Sequence, residues 1–343
     1  MERRVEVVID PLRQEKISLR LPLEFRRRVE EVRAELGLPT SVDVRDPLVA
    51  KAVALAGAAR DAQPPVRLAF FGGTAFRLLC PSSNDPTIGL RHDLHDIDMA
   101  VLVKEVRDVR RFLTSVEDSA GSALTFFETS GDRIFNSLSG GQRLRWHMAV
   151  ATNAAGLVLG TLDIVADAFR FCHRIDVRSD VERSAERGWT LEPAHLLLTK
   201  GQFVQKMPRA DAAAIPDRVL EPFGRRDVIV GPEAKDVQDM LSLLHDHEVG
   251  EGAGEISPSE LRRLLAADWG LWKTFGLNLG LIGRSRILRT IPAPVWARIE
   301  PRLETIRDLV AGLAPKRRLG FLGGPWWQEV DTTASTDLVV PIG

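Results

Sequence analysis

Phe70-Phe71-Gly72-Gly73-Thr74 and, after 21 intervening residues, Asp96-Ile97-Asp98-Met99-Ala100-Val101-Leu102-Val103 bound the stretch that decides the fold. A short apolar run ends in a Gly-Gly-Thr turn that opens a helix, and an acidic pair then leads a second apolar run. In a strand, residues i and i+2 lie on one face, roughly 6–7 Å apart along the chain. Asp96 and Asp98 therefore aim both carboxylates at one place, while Ile97 turns back into the core. Paired carboxylates on one face suit Mg²⁺, which usually takes only one or two protein carboxylates and completes its shell with phosphate and water. The Gly72-Gly73-Thr74 turn presents backbone amides at a helix N-terminus, which favours phosphate, and Thr74 adds a hydroxyl.

Working outward, the chain divides into three parts. Residues 1–65 read as an N-terminal helical arm after a short strand, Val5 to Ile9. Phe25, Val29, Val32 and Leu36 recur at helical spacing, and a second helix is expected over Pro47 to Arg60. Residues 66–190 alternate and read as an α+β (α/β) core with a mixed sheet. A strand Val66–Phe71, a helix Thr74–Leu79, a loop Pro81–Gly89, the acidic strand and a helix Lys104–Val116 are followed by four β-like runs. These are Ala123–Glu128, Asp132–Leu138, Leu144–Ala149 and Gly156–Val165, with Ser-Gly and Gly-Gly punctuation between them. From 191 to 343 the chain reads as a helical C-terminal domain: Glu192–Lys206, Glu233–Val249, Pro258–Ala267, Trp269–Leu281 and Pro294–Leu313. Pro208–Pro232 reads as an irregular insertion.

A third carboxylate is expected from a neighbouring strand, and the run Gly156–Val165 supplies Asp163. Val158, Leu162 and Ile164 share one face of that run, and Thr161 and Asp163 the other. An acid inside so apolar a strand is expensive to bury unless it is paired or metal-bound. Asp163 is thus the candidate general base and third metal ligand; Asp167, beyond the strand, is read as a cap.

These residues resemble the nucleotidyltransferase superfamily with a polymerase-β-like core, and within it the AbiEii-type toxin group. The resemblance spans about 66–247 and includes a lysine-bearing helix, here Glu192 to Lys200, and a later Lys-Asp-x-x-Asp helix, Lys235-Asp236-Val237-Gln238-Asp239. It implies Mg²⁺, or Mn²⁺, held by Asp96, Asp98 and Asp163, and a nucleoside triphosphate cradled by Gly72, Gly73 and Thr74. It also implies that Lys200 neutralises the triphosphate and that Asp236 orients it, with Asp239 the alternative. Lysine is scarce, eight against 38 arginines, yet Lys200, Lys206 and Lys235 fall within 36 residues. Arg91, just before the acidic pair, is a further nucleotide-proximal candidate. The Thr74–Asp96 and Lys200–Asp236 intervals are both longer than is usual in the family. By resemblance the acceptor is tRNA or protein in a toxin–antitoxin setting with an antitoxin partner. A small-molecule acceptor of the aminoglycoside type, or a non-catalytic nucleotide-binding protein keeping the fold, is the alternative.

Composition excludes little. The formal charge is −1, so no global basic field advertises nucleic acid or an anionic membrane. Two cysteines, Cys80 and Cys172, have no metal-ligand spacing and suggest a reducing compartment. No apolar run reaches ~18 residues, and the first residues lack a signal-peptide pattern, so a cytoplasmic protein without membrane association is expected. No Gly-x-Gly-x-x-Gly follows a strand, which disfavours a dinucleotide fold. His92 and His95 are not read as a zinc site. Trp269, Trp272 and Phe275 share a helix face and are assigned to packing, and Trp326-Trp327 to docking of the tail.

Overall fold

The computed structural model describes residues 23–119, 124–150, 157–207, 228–283, 285–316 and 326. In chain order its helices and strands are α1 (Leu23–Glu35), α2 (Pro47–Asp61), β1 (Leu68–Phe71), α3 (Gly72–Leu79), α4 (Pro81–Asn84), β2 (Asp96–Val101), α5 (Val106–Ser119), β3 (Leu124–Phe127), α6 (Ser130–Leu138), β4 (Arg143–Val150) and β5 (Leu157–Ala166). There follow β6 (Ala168–Arg170), β7 (Arg174–Asp176), α7 (Arg178–Arg183), α8 (Pro193–Gly201), β8 (Gln205–Met207), β9 (Val228–Val230), α9 (Ala234–Asp246), α10 (Pro258–Ala267), α11 (Trp269–Ile282) and α12 (Ala293–Ala311). The fold is α+β. The expected strand Val5–Ile9, most of Pro208–Pro232 and Trp327 lie outside the described residues.

Two compact units partition the chain. One comprises residues 1–81, 93–168 and 177–191; the other comprises 82–92, 169–176 and 192–343. The first unit is organised by a five-stranded mixed sheet of order β1-β2-β5-β4-β3. β1 pairs antiparallel with β2, β2 parallel with β5, β5 antiparallel with β4, and β4 antiparallel with β3. Leu68, Ala69, Phe70, Ile97, Met99, Ala100 and Val101 are buried, so the two strands of the opening stretch form the centre of the core. Such near-continuous apolar runs belong to strands covered on both faces. Helix α5 contributes Val109, Phe112 and Leu113 at i, i+3, i+4. Asp46 caps α2 through the amides of Leu48 and Val49, with Pro47 at the first helical position.

One expected strand, Asp132–Leu138, is instead helix α6. Thr129 and Asp132 form a capping box: the Thr129 hydroxyl accepts from the Asp132 amide at 3.1 Å, and the Asp132 carboxylate accepts from the Thr129 amide at 2.8 Å. This exchange satisfies two orphan donors and fixes a helical start. Its apolar residues Ile134 and Leu138, at i and i+4, are exposed.

The second unit is a helical assembly in which α8 packs on α9, α10 and α11, while α12 packs on α9, α10 and α11. Helix α8 ends at Gly201, earlier than the expected Lys206, because glycine closes it against Phe275; a Cβ there would meet that ring at 2.4 Å. The residues beyond turn into the β8–β9 ribbon. Asn278 of α11 donates to the carbonyls of Gly201 and Phe203. Within the same unit Trp326 donates its indole N–H to Thr274 at 3.1 Å and meets Trp269 edge-on. No helix among the described residues is long and apolar enough to cross a membrane.

A carboxylate triad on the mixed sheet

Strand register assembles the acids. Asp98 is paired with Asp163 across the parallel β2–β5 contact, and Asp96 with Thr161. Laterally paired residues on one face bring their Cβ atoms within about 5.5 Å. Asp96, Asp98 and Asp163 consequently each place a carboxylate oxygen within 4.8 Å of the others. Asp163 is buried and the other two are half-buried.

Glycine makes the close packing possible. Gly72, the first residue of α3, has φ +61°, and a Cβ built on it would lie 2.0 Å from Asp98 Oδ2 and 2.9 Å from Asp98 Cγ. The helix start therefore presses backbone against a carboxylate. Gly160 plays the same part beside Asp96: its Cβ would lie 2.2 Å from the His95 carbonyl oxygen. Thr74 is buried, and its hydroxyl donates to the Asp96 carbonyl at 3.1 Å, tying α3 to the head of β2. Gly73 is buried in the same turn.

The next strand adds a cation that the sequence pattern did not single out. Arg145 on β4 is paired in register with Asp163 and donates to both of its oxygens, Nε to Oδ1 at 2.8 Å and Nη2 to Oδ2 at 3.1 Å. Its pKa is raised, chiefly by the hydrogen bonds it donates to Asp163, with Asp163, Asp132 and Asp96 all adding attraction against the cost of burial. The signal lay in the alternation of Arg143, Arg145 and His147 with the buried Leu144, Trp146 and Met148, which puts three basic groups on one strand face. Further along that strand His147 Nδ1 lies 2.8 Å from Asp132 Oδ2. Burial works against ionisation of Asp132, but the Thr129 hydroxyl and amide and the neighbouring His147 outweigh it, leaving its pKa below the ordinary value.

The backbone of Arg145 is itself clamped. Asn136 of α6 donates to the Arg145 carbonyl at 2.9 Å and accepts from its amide at 2.6 Å. A side-chain amide thus continues the ladder where β3 has ended. Asn136 also lines a cavity of about 540 Å³ in this unit, together with Arg107, Arg110, Arg133 and Glu128.

The remaining sequence candidates belong to the second unit. Lys200 is buried and donates to Asp236 Oδ1 at 2.8 Å; Asp239 Oδ2 lies at 2.8 Å as well. His92 Nε2 approaches Asp239 Oδ1 at 2.7 Å. Burial opposes the charge on Lys200, yet the two carboxylates outweigh it and hold its pKa well above the ordinary lysine value. Burial would raise the Asp239 pKa, but Lys200 and His92 pull it below the usual carboxylate value. Asp236 also accepts from the Glu233 amide at the start of α9. Arg91 donates to the Asn84 carbonyl.

The triad's donors fit a hard divalent cation: three carboxylates converge, and a backbone cradle admits no side chain next to Asp98. No protein-family model matches the chain, and no curated protein matches it significantly.

Proposed function

We propose that the chain is a Mg²⁺-dependent nucleotidyltransferase, with Mn²⁺ an alternative ion, that moves a nucleoside monophosphate from a nucleoside triphosphate to an acceptor hydroxyl. The observation that carries this reading is the convergence of Asp96, Asp98 and Asp163 within 4.8 Å on adjoining strands, beside a glycine turn that opens a helix. In this reading the architecture is a nucleotidyltransferase core followed by helices.

Asp96 and Asp98 would hold the ion against the triphosphate, and Asp163 would complete the site. A divalent ion there supplies charge neutralisation and polarises the reacting phosphorus. Gly72 and Gly73 bring amides to the phosphates, while Thr74 serves by fixing Asp96. The acceptor oxygen bonds to the α-phosphorus, the bond to the bridging oxygen breaks, and pyrophosphate leaves. The hydroxyl proton passes to Asp163, whose carboxylate retains acceptor lone pairs beyond those used by the Arg145 fork. By resemblance Lys200 is assigned to neutralising triphosphate charge and Asp236 to orienting it; their mutual ion pair keeps the ammonium charged.

The arginine-lined cavity favours a phosphate-bearing acceptor such as an RNA end over an aminoglycoside, which is itself cationic. A protein acceptor and an antitoxin partner rest on resemblance alone. The test is incubation with each α-labelled nucleoside triphosphate and Mg²⁺ or Mn²⁺, in parallel with tRNA, a protein extract and an aminoglycoside panel. Label should move to one acceptor and be lost when Asp96 and Asp98 are both replaced by Ala. Transfer that survives the double substitution refutes the site. Nucleotide binding without transfer in any arm selects the non-catalytic reading, and no nucleotide binding dismisses both.

A further inference from the structure

Arg145 is more than a neutral strand neighbour, because its fork engages the one triad member that lies deepest. Both Asp163 oxygens are committed to it. Register leaves it no alternative address on its own strand: Arg145 stands directly opposite Asp163, and Asn136 fixes its backbone through both amide and carbonyl. Its guanidinium also lies over the Phe135 ring at 5.6 Å, which supports the side chain from the α6 side.

We propose that Arg145 is the built-in counter-ion of the carboxylate triad, a positioning residue that acts through Asp163. This rests on the reading of Asp96, Asp98 and Asp163 as a divalent-cation site. Three converging carboxylates repel one another, and a bidentate guanidinium both neutralises one of them and fixes its plane. A cation entering the triad must share Asp163 with that fork or take it, so Arg145 lowers the affinity for the ion. The same competition releases a positive planar donor on the triad's face of the sheet, where it suits a phosphate oxygen of the substrate.

The test is direct binding of Mn²⁺ to the full chain, followed by calorimetry or by the loss of free-ion paramagnetic resonance, without nucleotide. Arg145→Gln is expected to bind Mn²⁺ about tenfold or more tightly than the native chain, since a unit charge a few ångströms away is removed. Arg145→Lys keeps the charge and is expected to stay near the native affinity. A purely structural role would destabilise both variants and tighten neither; Mn²⁺ affinity for Arg145→Gln at or below the native value overturns the proposal. If Arg145→Gln does not fold, the native chain gives the second readout. The Arg145 Nε–H resonance, assigned by its loss in Arg145→Lys, is expected to shift and to exchange faster with solvent as Mg²⁺ is added. A resonance unmoved at saturating Mg²⁺ overturns the proposal. Failure of both the native chain and Arg145→Gln to bind either ion removes the cation site itself, and this inference with it.

Discussion

Gly72→Ala is the substitution on which the arrangement of the site turns. The residue sits at φ +61°, where an L side chain is strained by about 1–2 kcal/mol. The added methyl would meet Asp98 Oδ2 at 2.0 Å, Cγ at 2.9 Å and Cβ at 3.1 Å. Swinging the carboxylate away relieves the first two contacts but leaves Cβ at 3.1 Å, so α3 and β2 must also give way slightly, and the combined overpacking cost is about 1–3 kcal/mol. The sum, about 2–5 kcal/mol, predicts a midpoint of thermal unfolding lower by roughly 4–20 °C for a unit of this size. Either route of relief displaces Asp98 from its partners, so Mn²⁺ binding and nucleotidyl transfer should fall together. Gly280→Ala is the matched control: it lies in helix α11, where an added methyl meets no heavy atom within 4 Å, and gains up to about 1 kcal/mol of helix propensity. Differential scanning calorimetry and Mn²⁺ titration of both variants check the argument. A Gly72→Ala chain with native thermal stability and native Mn²⁺ affinity would refute it.

Lys200→Met leaves Asp236 and Asp239 as adjacent buried acids and should cost about 3–5 kcal/mol in urea unfolding; an unchanged urea midpoint rejects the ion-pair reading. The depressed Asp239 pKa adds stability at neutral pH that is lost as pH falls through its folded value, and Asp239→Asn should remove that acid limb. His173 is buried beside Thr274 with its pKa pushed down to about 4, mainly by burial. The unfolded chain binds the proton first, so stability is greatest above the ordinary histidine pKa of about 6.5 and declines by roughly 3 kcal/mol as pH falls to about 4. His173→Gln should flatten that decline in a pH series of unfolding midpoints, and parallel curves would count against it. Asn136→Ala removes both side-chain bonds to the Arg145 backbone, with an expected loss of about 1–3 kcal/mol and faster amide exchange at Arg145.

The two ends of the opening stretch were legible because each is a local pattern. Apolar runs of strand length, glycines at a turn and acids at alternate positions declare themselves without knowledge of any partner. Helices α5, α9, α10 and α12 were legible for the same reason, since their apolar positions repeat at 3.6 residues. Asp132–Leu138 reads as helix once its apolar positions 134, 135 and 138 are counted at i, i+1, i+4, and the capping box at Thr129 fixes its start. Strand order was beyond reach: that β5 lies between β2 and β4 is a fact of non-local pairing, and only that order brings Asp163 to Asp98 and Arg145 to Asp163. The partnership of His92 with Asp239, 147 residues apart, is hidden in the same way.

Some parts of the site serve stability and others do not. Thr74, Asn136 and the Asp132 cap satisfy hydrogen bonds that any fold needs, and their replacement by apolar groups would simply loosen the sheet. The triad differs. Three carboxylates drawn together on one sheet face are unfavourable for folding, and the Arg145 fork is committed to Asp163. Apolar residues at Asp98 and Asp163, which pair in register on the face opposite Ile97, Met99, Leu162 and Ile164, would carry no such repulsion. Glycine at position 72 adds a second departure, since its positive φ and missing Cβ serve to bring backbone against Asp98. Two independent departures from the stable solution meet at one carboxylate, and ligand binding is the gain that would offset both.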